Sequence, residues 1–136
     1  KQRARPYLFS NALAPAVCGS SLEAIRIASG QEGEGLREQL TANARRLRDG
    51  MAAAGFNLLP GQHPIIPVML GDARLAQAMA ADLFQRGVHV APFYFPVVPK
   101  GQARIRTQMN AALTRADLDF ALDAFAAAGK VTGVLK

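Results

Sequence analysis

The sequence has one cysteine, Cys18. A lone thiol cannot close an internal disulfide, so the core has to hold without a covalent staple, and a reducing compartment such as the cytoplasm is expected. Cys18 stands among Ala, Val, Gly and Ser with no His or Asp nearby, the setting of a small buried helix residue and not of a nucleophile. Histidine is almost as scarce. His63 and His89 are the two present, neither has a second ligand at metal-binding spacing, and both read as structural, so no metal site is expected. No stretch approaches the ~20 uninterrupted apolar residues of a membrane span. The basic residues 1–6 are not followed by an apolar segment with a cleavage site, so no signal peptide is expected there. A glycine-rich phosphate loop and a Ser/His/Asp set are both missing. The first methionine is Met51, so the chain reads as a fragment or a processed product.

Half of the 136 residues are apolar, enough for a real core. The net charge of +6 and a pI near 10.3 raise nucleic acid or an acidic protein as partners of a freestanding basic module. The distribution argues against this. The sixteen Lys and Arg are spread along the chain, with small groups at Lys1/Arg3/Arg5, Arg45/Arg46/Arg48 and Arg104/Arg106. Phe93, Tyr94 and Phe95 form one run and not spaced stacking platforms. No nucleic-acid and no membrane partner is expected.

There is no internal repeat and no low-complexity tract. Residues 1–11 are basic and then extended around 6–10. A helix is predicted from Pro15, since proline suits a first helical turn, to Ser29, where Gly30 stops it. Residues 31–35, with two glycines, read as a turn. Leu36, Leu40, Ala44, Leu47 and Met51 then recur at helical spacing, with Arg37, Arg45, Arg46 and Arg48 largely off that face as a solvated surface. Gly55 ends this helix. Residues 65–70 form a buried strand in which Pro67 requires an edge or a bulge. Asp72 caps a helix that buries Leu75, Met79 and Leu83 and stops at Gly87. Residues 88–93 form a second strand, residues 95–101 a proline-stiffened loop, and residues 103–109 a third strand. Thr114 and Asp117 resemble a capping box for a last helix that buries Leu118, Ala121, Leu122 and Phe125 and ends at Gly129. The order strand, helix, strand, strand, helix makes a small sheet with helices on one face, an α/β fold whose small domain is of the α+β kind.

Two places have donors suited to binding anions. Arg104 and Arg106 lie two apart on a predicted strand and share a face, with Ile105, Thr107 and Met109 on the other. A strand presenting a guanidinium fork grips a carboxylate bidentately; alternatively both arginines solvate an open sheet face. Ser10 and Asn11 precede a helix start, where a hydroxyl, an amide and free N–H groups suit a phosphate; alternatively they form an ordinary turn or cap.

Four ordered stretches carry a resemblance. Arg5-Pro6-Tyr7-Leu8-Phe9-Ser10-Asn11-Ala12-Leu13-Ala14-Pro15 resembles the stretch after the cofactor lysine in the α-oxoamine synthases, a family of pyridoxal-phosphate (PLP) enzymes. Ala54-Gly55-Phe56 and Ile65-Ile66-Pro67-Val68-Met69-Leu70-Gly71-Asp72-Ala73 fit in the same order. Phe95-Pro96-Val97-Val98-Pro99-Lys100-Gly101-Gln102-Ala103-Arg104-Ile105-Arg106-Thr107-Gln108-Met109 is similar to the family's substrate-arginine strand. The wording around Ser10-Asn11 and at 97–103 is closest to the branch that acylates glycine. Siblings that make 8-amino-7-oxononanoate more often have Thr where Asn11 stands.

The resemblance implies the C-terminal domain of a PLP fold type I, aspartate aminotransferase-like enzyme. Residues 1–54 would be a lead-in with connecting helices from the large domain, and residues 55–136 the small domain. It implies PLP as cofactor, glycine and acetyl-CoA as substrates, and a homodimer with active sites shared between subunits. Arg106 would hold the glycine carboxylate; Ser10 and Asn11 would reach the PLP phosphate of the neighbouring subunit. The family's cofactor lysine sits in a Ser/Thr-x-x-Lys-Ala-x-Gly-Gly setting, which none of Lys1, Lys100, Lys130 and Lys136 has. No catalytic residue is therefore expected within this chain. One departure is Leu113, in Asn110-Ala111-Ala112-Leu113-Thr114, where the family has histidine.

Overall fold

A computed structural model describes residues 3–136. Lys1, counted above in the basic N-terminal group, lies outside the described residues. The chain divides into two compact units, one up to Leu36 and one from Arg37 to Lys136.

In the first unit, α1 (Arg5–Leu8) is a single helical turn where an extended stretch was expected. Pro6 has the φ of a first helical turn, and the Phe9 amide closes the turn on the Arg5 carbonyl at 2.8 Å. Helix α2 (Pro15–Ser29) starts at the predicted proline and stops at Gly30. None of its residues is buried, so Cys18 is helical but exposed and not buried as expected. A helix buries side chains only against a second layer, and α2 has none in this unit. The turn expected over residues 31–35 is instead the start of α3 (Gln31–Ala53). Gly33 is buried there because the chain passes close: a Cβ on it would stand 2.5 Å from the Ile27 carbonyl oxygen. Glu32 and Glu34 favour the positive end of the new helix.

In the second unit, α3 buries Ala44, Leu47 and Met51 as its periodicity predicts, while Leu40 is half-buried. Leu36 falls before this unit and is exposed. Since α3 shares this core, the compact body begins ahead of residue 55. Strand β1 (Ile65–Gly71), helix α4 (Ala73–Gln85), strands β2 (Ala91–Phe93) and β3 (Ala103–Gln108) and helix α5 (Arg115–Val131) follow in the expected order. The sheet is antiparallel with order β1-β3-β2. Pro67 lies on an edge strand, as its missing amide requires. Its carbonyl points away from β3 and accepts from Leu59 N at 3.1 Å, and a register shift follows at Met69/Gly71.

Ile66, Val68 and Ile105 face the helices and meet Leu47, Met51, Met79, Leu83 and Phe125 in one core. Fully burying an apolar side chain of this size contributes about 1.5–3 kcal/mol. Phe56 and Phe125 meet edge-to-face at 5.9 Å. The helices thus cover one face of the sheet, as expected.

Three expectations need correction. β2 spans only Ala91–Phe93, not residues 88–93, because the Val88 amide is engaged by the Leu83 carbonyl at 2.9 Å, which ties the chain to the end of α4. α5 runs past Gly129 to Val131. Gly129 does not stop the helix; it allows close packing, since a Cβ there would lie 2.8 Å from Leu135 Cγ and 2.9 Å from Phe56 Cζ. Ala121, Leu122 and Leu75 are half-buried and not buried. Both predicted caps form: Asp72 accepts from Leu75 N at 2.9 Å, and Thr114 with Asp117 makes the capping box.

Candidate functional site

The central strand β3 sorts its side chains by alternation. Ala103, Ile105 and Thr107 are buried on the helix side, and the Thr107 hydroxyl is satisfied by the Ile66 carbonyl at 2.9 Å. Arg104, Arg106 and Gln108 project from the opposite, open face. In register beside them stand Ile65, Pro67 and Met69 on β1 and Ala91 and Phe93 on β2. Two cations therefore rise from the middle of a face that carries no carboxylate on any of its paired positions.

The two arginines are held differently. Arg104 turns back on its own loop: Nε donates to the Gln102 main-chain oxygen at 3.1 Å, and a terminal nitrogen donates to Gln102 Oε1 at 3.3 Å. Arg106 lies over the ring of Phe93, with Cζ 4.4 Å from the ring centroid. Its guanidinium donates to no acceptor among the described residues, and its neighbours in register, Pro67 and Ala91, offer none. It presents an open fork beside the ring, and an open fork is what receives a carboxylate. The loop before β3 is braced by Val97 N to Tyr94 O at 2.9 Å and Gln102 N to Pro99 O at 3.1 Å. Lys100 lies over Phe95 at 5.1 Å.

After β3 the chain is fixed from two sides. Asn110 Oδ1 accepts from the amides of Ala112 at 2.9 Å and Leu113 at 3.2 Å. Buried Asn43, on α3, donates its side-chain amide to the carbonyls of Asn110 at 3.0 Å and Leu113 at 2.9 Å, and accepts from Gln39 at 2.9 Å. Leu113 lines a cleft of about 560 Å³, with Val88, Val90, Met109 and Phe120, where residues 88–90 leave the sheet. Asn43 and Phe93 were missed in the sequence. Asn43 was detectable as a polar residue on the apolar face of α3, beside Leu40, Ala44 and Leu47. Phe93 was detectable by its parity with the arginines across the hairpin.

Ser10 and Asn11 belong to the first unit. Ser10 Oγ accepts from Ala12 N at 3.3 Å, and Asn11 takes a left-handed backbone, φ 51°, which asparagine tolerates better than most residues. Both are exposed, and no side chain caps α2 just beyond them. Their hydroxyl and amide are suitable donors to a phosphate group.

The remaining candidates have structural roles. His63 Nδ1 accepts from Ile65 N at 3.1 Å, and His89 meets Phe84 edge-to-face. Among the described residues no group of three His, Cys, Asp or Glu is placed to hold a metal, and no helix is long and apolar enough to cross a membrane. The basic run on α3 is more engaged than a solvated face: Arg46 pairs with Asp119 on α5, and Arg48 donates to the Leu59 carbonyl at 2.9 Å. Hydrogen bonds from the Thr114 side chain and backbone hold the Asp117 carboxyl below its ordinary range.

Comparison with known proteins adds independent findings. The family description "aminotransferase class I and II" matches residues 1–125. The chain is 53% identical over 135 residues to 2-amino-3-ketobutyrate coenzyme A ligase of Salmonella typhimurium, covering 99% of this chain and 33% of that protein. It is 47% identical to the mitochondrial protein of that name from Homo sapiens, covering 99% of this chain and 32% of the relative. Among solved structures it matches serine palmitoyltransferase from S. paucimobilis, bound to PLP and myriocin, with a TM-score of 0.85 and 34% identity, over 96% of this chain and 33% of that one. The chain thus spans about a third of the length of these relatives.

Proposed function

Because this chain belongs to the class I and II aminotransferase family, we propose that it is the C-terminal part of a PLP-dependent glycine C-acetyltransferase. The enzyme condenses glycine with acetyl-CoA to 2-amino-3-oxobutyrate and free CoA, and in the reverse direction serves threonine breakdown. Residues 1–54 lead in from the large domain, with the last turns of α3 packing into the core of the small domain that residues 55–136 complete. The enzyme is a homodimer of the cytoplasm, where the single thiol of Cys18 stays reduced.

One observation carries the reading. On a face with two arginines, Arg104 is engaged by Gln102, while Arg106 keeps its donors open above Phe93. Arg106 binds the glycine carboxylate bidentately and sets the orientation of the amino acid. Ser10 and Asn11, from the neighbouring subunit, hold the PLP phosphate. PLP, when bound, supplies the electron sink for the α-carbanion of glycine. The cofactor lysine lies upstream of this chain, so the segment provides binding and orientation while the catalytic lysine comes from elsewhere in the polypeptide.

The test uses the full-length enzyme. Removing a bidentate contact that would leave a charge unpaired costs about 2–4 kcal/mol, or roughly 30- to 1000-fold in kcat/KM for glycine. Arg106→Lys recovers little of this, because an ammonium cannot reproduce the planar fork. Arg104→Lys is milder. Equal and small losses at both positions remove Arg106 from the site. Turnover of a longer acyl-CoA in preference to acetyl-CoA would instead place the enzyme with the siblings that make 8-amino-7-oxononanoate.

A further inference from the structure

We propose that Phe93 is a positioning residue for substrate binding: its ring holds the Arg106 guanidinium in the orientation that receives the carboxylate. This rests on the assignment of Arg106 above and concerns a residue that binds no substrate itself.

The geometry begins with the register. Phe93 pairs with Arg104, and Ala91 pairs with Arg106, so Phe93 and Arg106 are diagonal neighbours on the open face. Diagonal positions of an antiparallel pair lie about 7–8 Å apart, within reach of a long side chain and a ring. Arg106 takes that reach and places Cζ 4.4 Å from the ring centroid. Arg104, opposite Phe93 in register, instead folds back onto Gln102.

A ring suits this task better than a carboxylate. A cation over an aromatic ring is attracted by the negative charge of the ring face, and the contact needs no hydrogen-bond acceptor. The five N–H donors of Arg106 meet no acceptor among the described residues and stay open. An acidic partner would occupy the same donors that the substrate needs. Without any partner, a long and flexible side chain would lose rotamer freedom on binding. Phe93 removes part of that cost in advance. The ring is not needed for the core, since it is half-buried on the face away from the helices and is absent from the core cluster.

The experiment measures glycine and acetyl-CoA kinetics of the full-length enzyme with Phe93→Leu, Phe93→Tyr, Arg106→Ala and the double variant Phe93→Leu/Arg106→Ala. Leucine keeps an apolar body and removes the ring face. Its expected effect is a rise of roughly five- to thirty-fold in KM for glycine, with kcat and KM for acetyl-CoA within about two-fold of wild type. Tyrosine keeps the face and restores KM to near wild type. In the Arg106→Ala background, Phe93→Leu adds nothing, because the two residues act as one unit. The proposal is overturned if Phe93→Leu leaves KM for glycine unchanged, if Tyr and Leu raise it equally, or if both substrates are affected alike with a lowered Tm. A large effect of Arg106→Ala with none from Phe93→Leu removes Phe93 alone, whereas no effect from either removes the carboxylate assignment as well. If Phe93→Leu does not accumulate as folded enzyme, Phe93→Met makes the same test, since methionine fills space flexibly without a ring.

Discussion

Asn43 on α3 donates its side-chain amide to the Leu113 carbonyl at 2.9 Å, joining a helix to a loop seventy residues further along the chain. The same nitrogen donates to the Asn110 carbonyl, so one buried side chain fixes the segment between β3 and α5.

Truncating that side chain leaves two loop carbonyls without their donor. Asn43→Ala is expected to destabilise the chain by about 1–3 kcal/mol, as removal of one partner of a buried hydrogen bond does. Asn43→Asp is worse, because it sets a carboxylate against two carbonyl oxygens. Urea denaturation of each variant gives the comparison, and equal stability of wild type and Asn43→Ala would show that the clamp contributes nothing.

The glycines separate in a second series. Gly129→Ala places a methyl group within 2.9 Å of Leu135 and Phe56, and overpacking of this kind costs about 1–3 kcal/mol. Gly35 is also helical, but nothing lies within 4 Å of its added Cβ. Gly35→Ala is expected to raise stability by about 0.5–1 kcal/mol through helix propensity alone. The two substitutions therefore move the urea midpoint in opposite directions.

Asp117 sets a pH dependence. Bonds from Thr114 Oγ1 at 2.7 Å and Thr114 N at 2.8 Å favour its ionised form, so the folded pKa lies below the unfolded one. The resulting stabilisation is fully present above the unfolded value, about 3.9, and is lost as pH falls through the lower folded value. Melting curves from pH 7 to pH 3 should show wild type ahead of Asp117→Asn at neutral pH, with the gap closing at the acid end. A gap independent of pH would mean that the charge of the carboxylate is irrelevant to the cap.

The proposed sharing of the active site between subunits makes a mixing prediction. In the full-length enzyme, a subunit without its cofactor lysine is combined with one carrying Ser10→Ala and Asn11→Ala. Each parent is expected to be nearly inactive. Half of randomly mixed dimers contain both types and regain one of two sites, so activity should recover to roughly a quarter of wild type. No recovery would show that Ser10 and Asn11 do not serve the neighbouring subunit.

Proline and side-chain caps were legible in the sequence. Pro15, Asp72 and the Thr114/Asp117 pair are read correctly because a helix start depends on residues within one turn. Pro67 was placed at an edge by its missing donor, and parity put Arg104 and Arg106 on one face. Contacts from distant parts of the chain were not legible. Gly33 and Gly129 look like breaks until the close approach of Ile27 or Leu135 is known. Residues 88–90 alternate like a strand, but the Val88 amide is already engaged at the end of α4. The same limit applies to the site. Spacing treats Arg104 and Arg106 as equals, and they differ only once Gln102 and Phe93 are in place. The choice of Arg106, like that of Ser10 and Asn11, was available from the resemblance alone.

Pro67 also limits how this sheet can associate with others. An exposed strand edge is a template on which further chains stack, the first step toward fibrous aggregates. On β1 that template is defective: one amide is missing, the carbonyl beside it is occupied by Leu59, and the Met69 amide is bonded to Asn57 at 2.8 Å. The opposite rim, β2, is three residues long and includes Pro92. Neither rim offers an uninterrupted row of donors and acceptors, so the sheet resists extension by other molecules during synthesis and at high concentration. Replacing Pro67 with a residue that has an amide would restore a donor on that rim and weaken this protection.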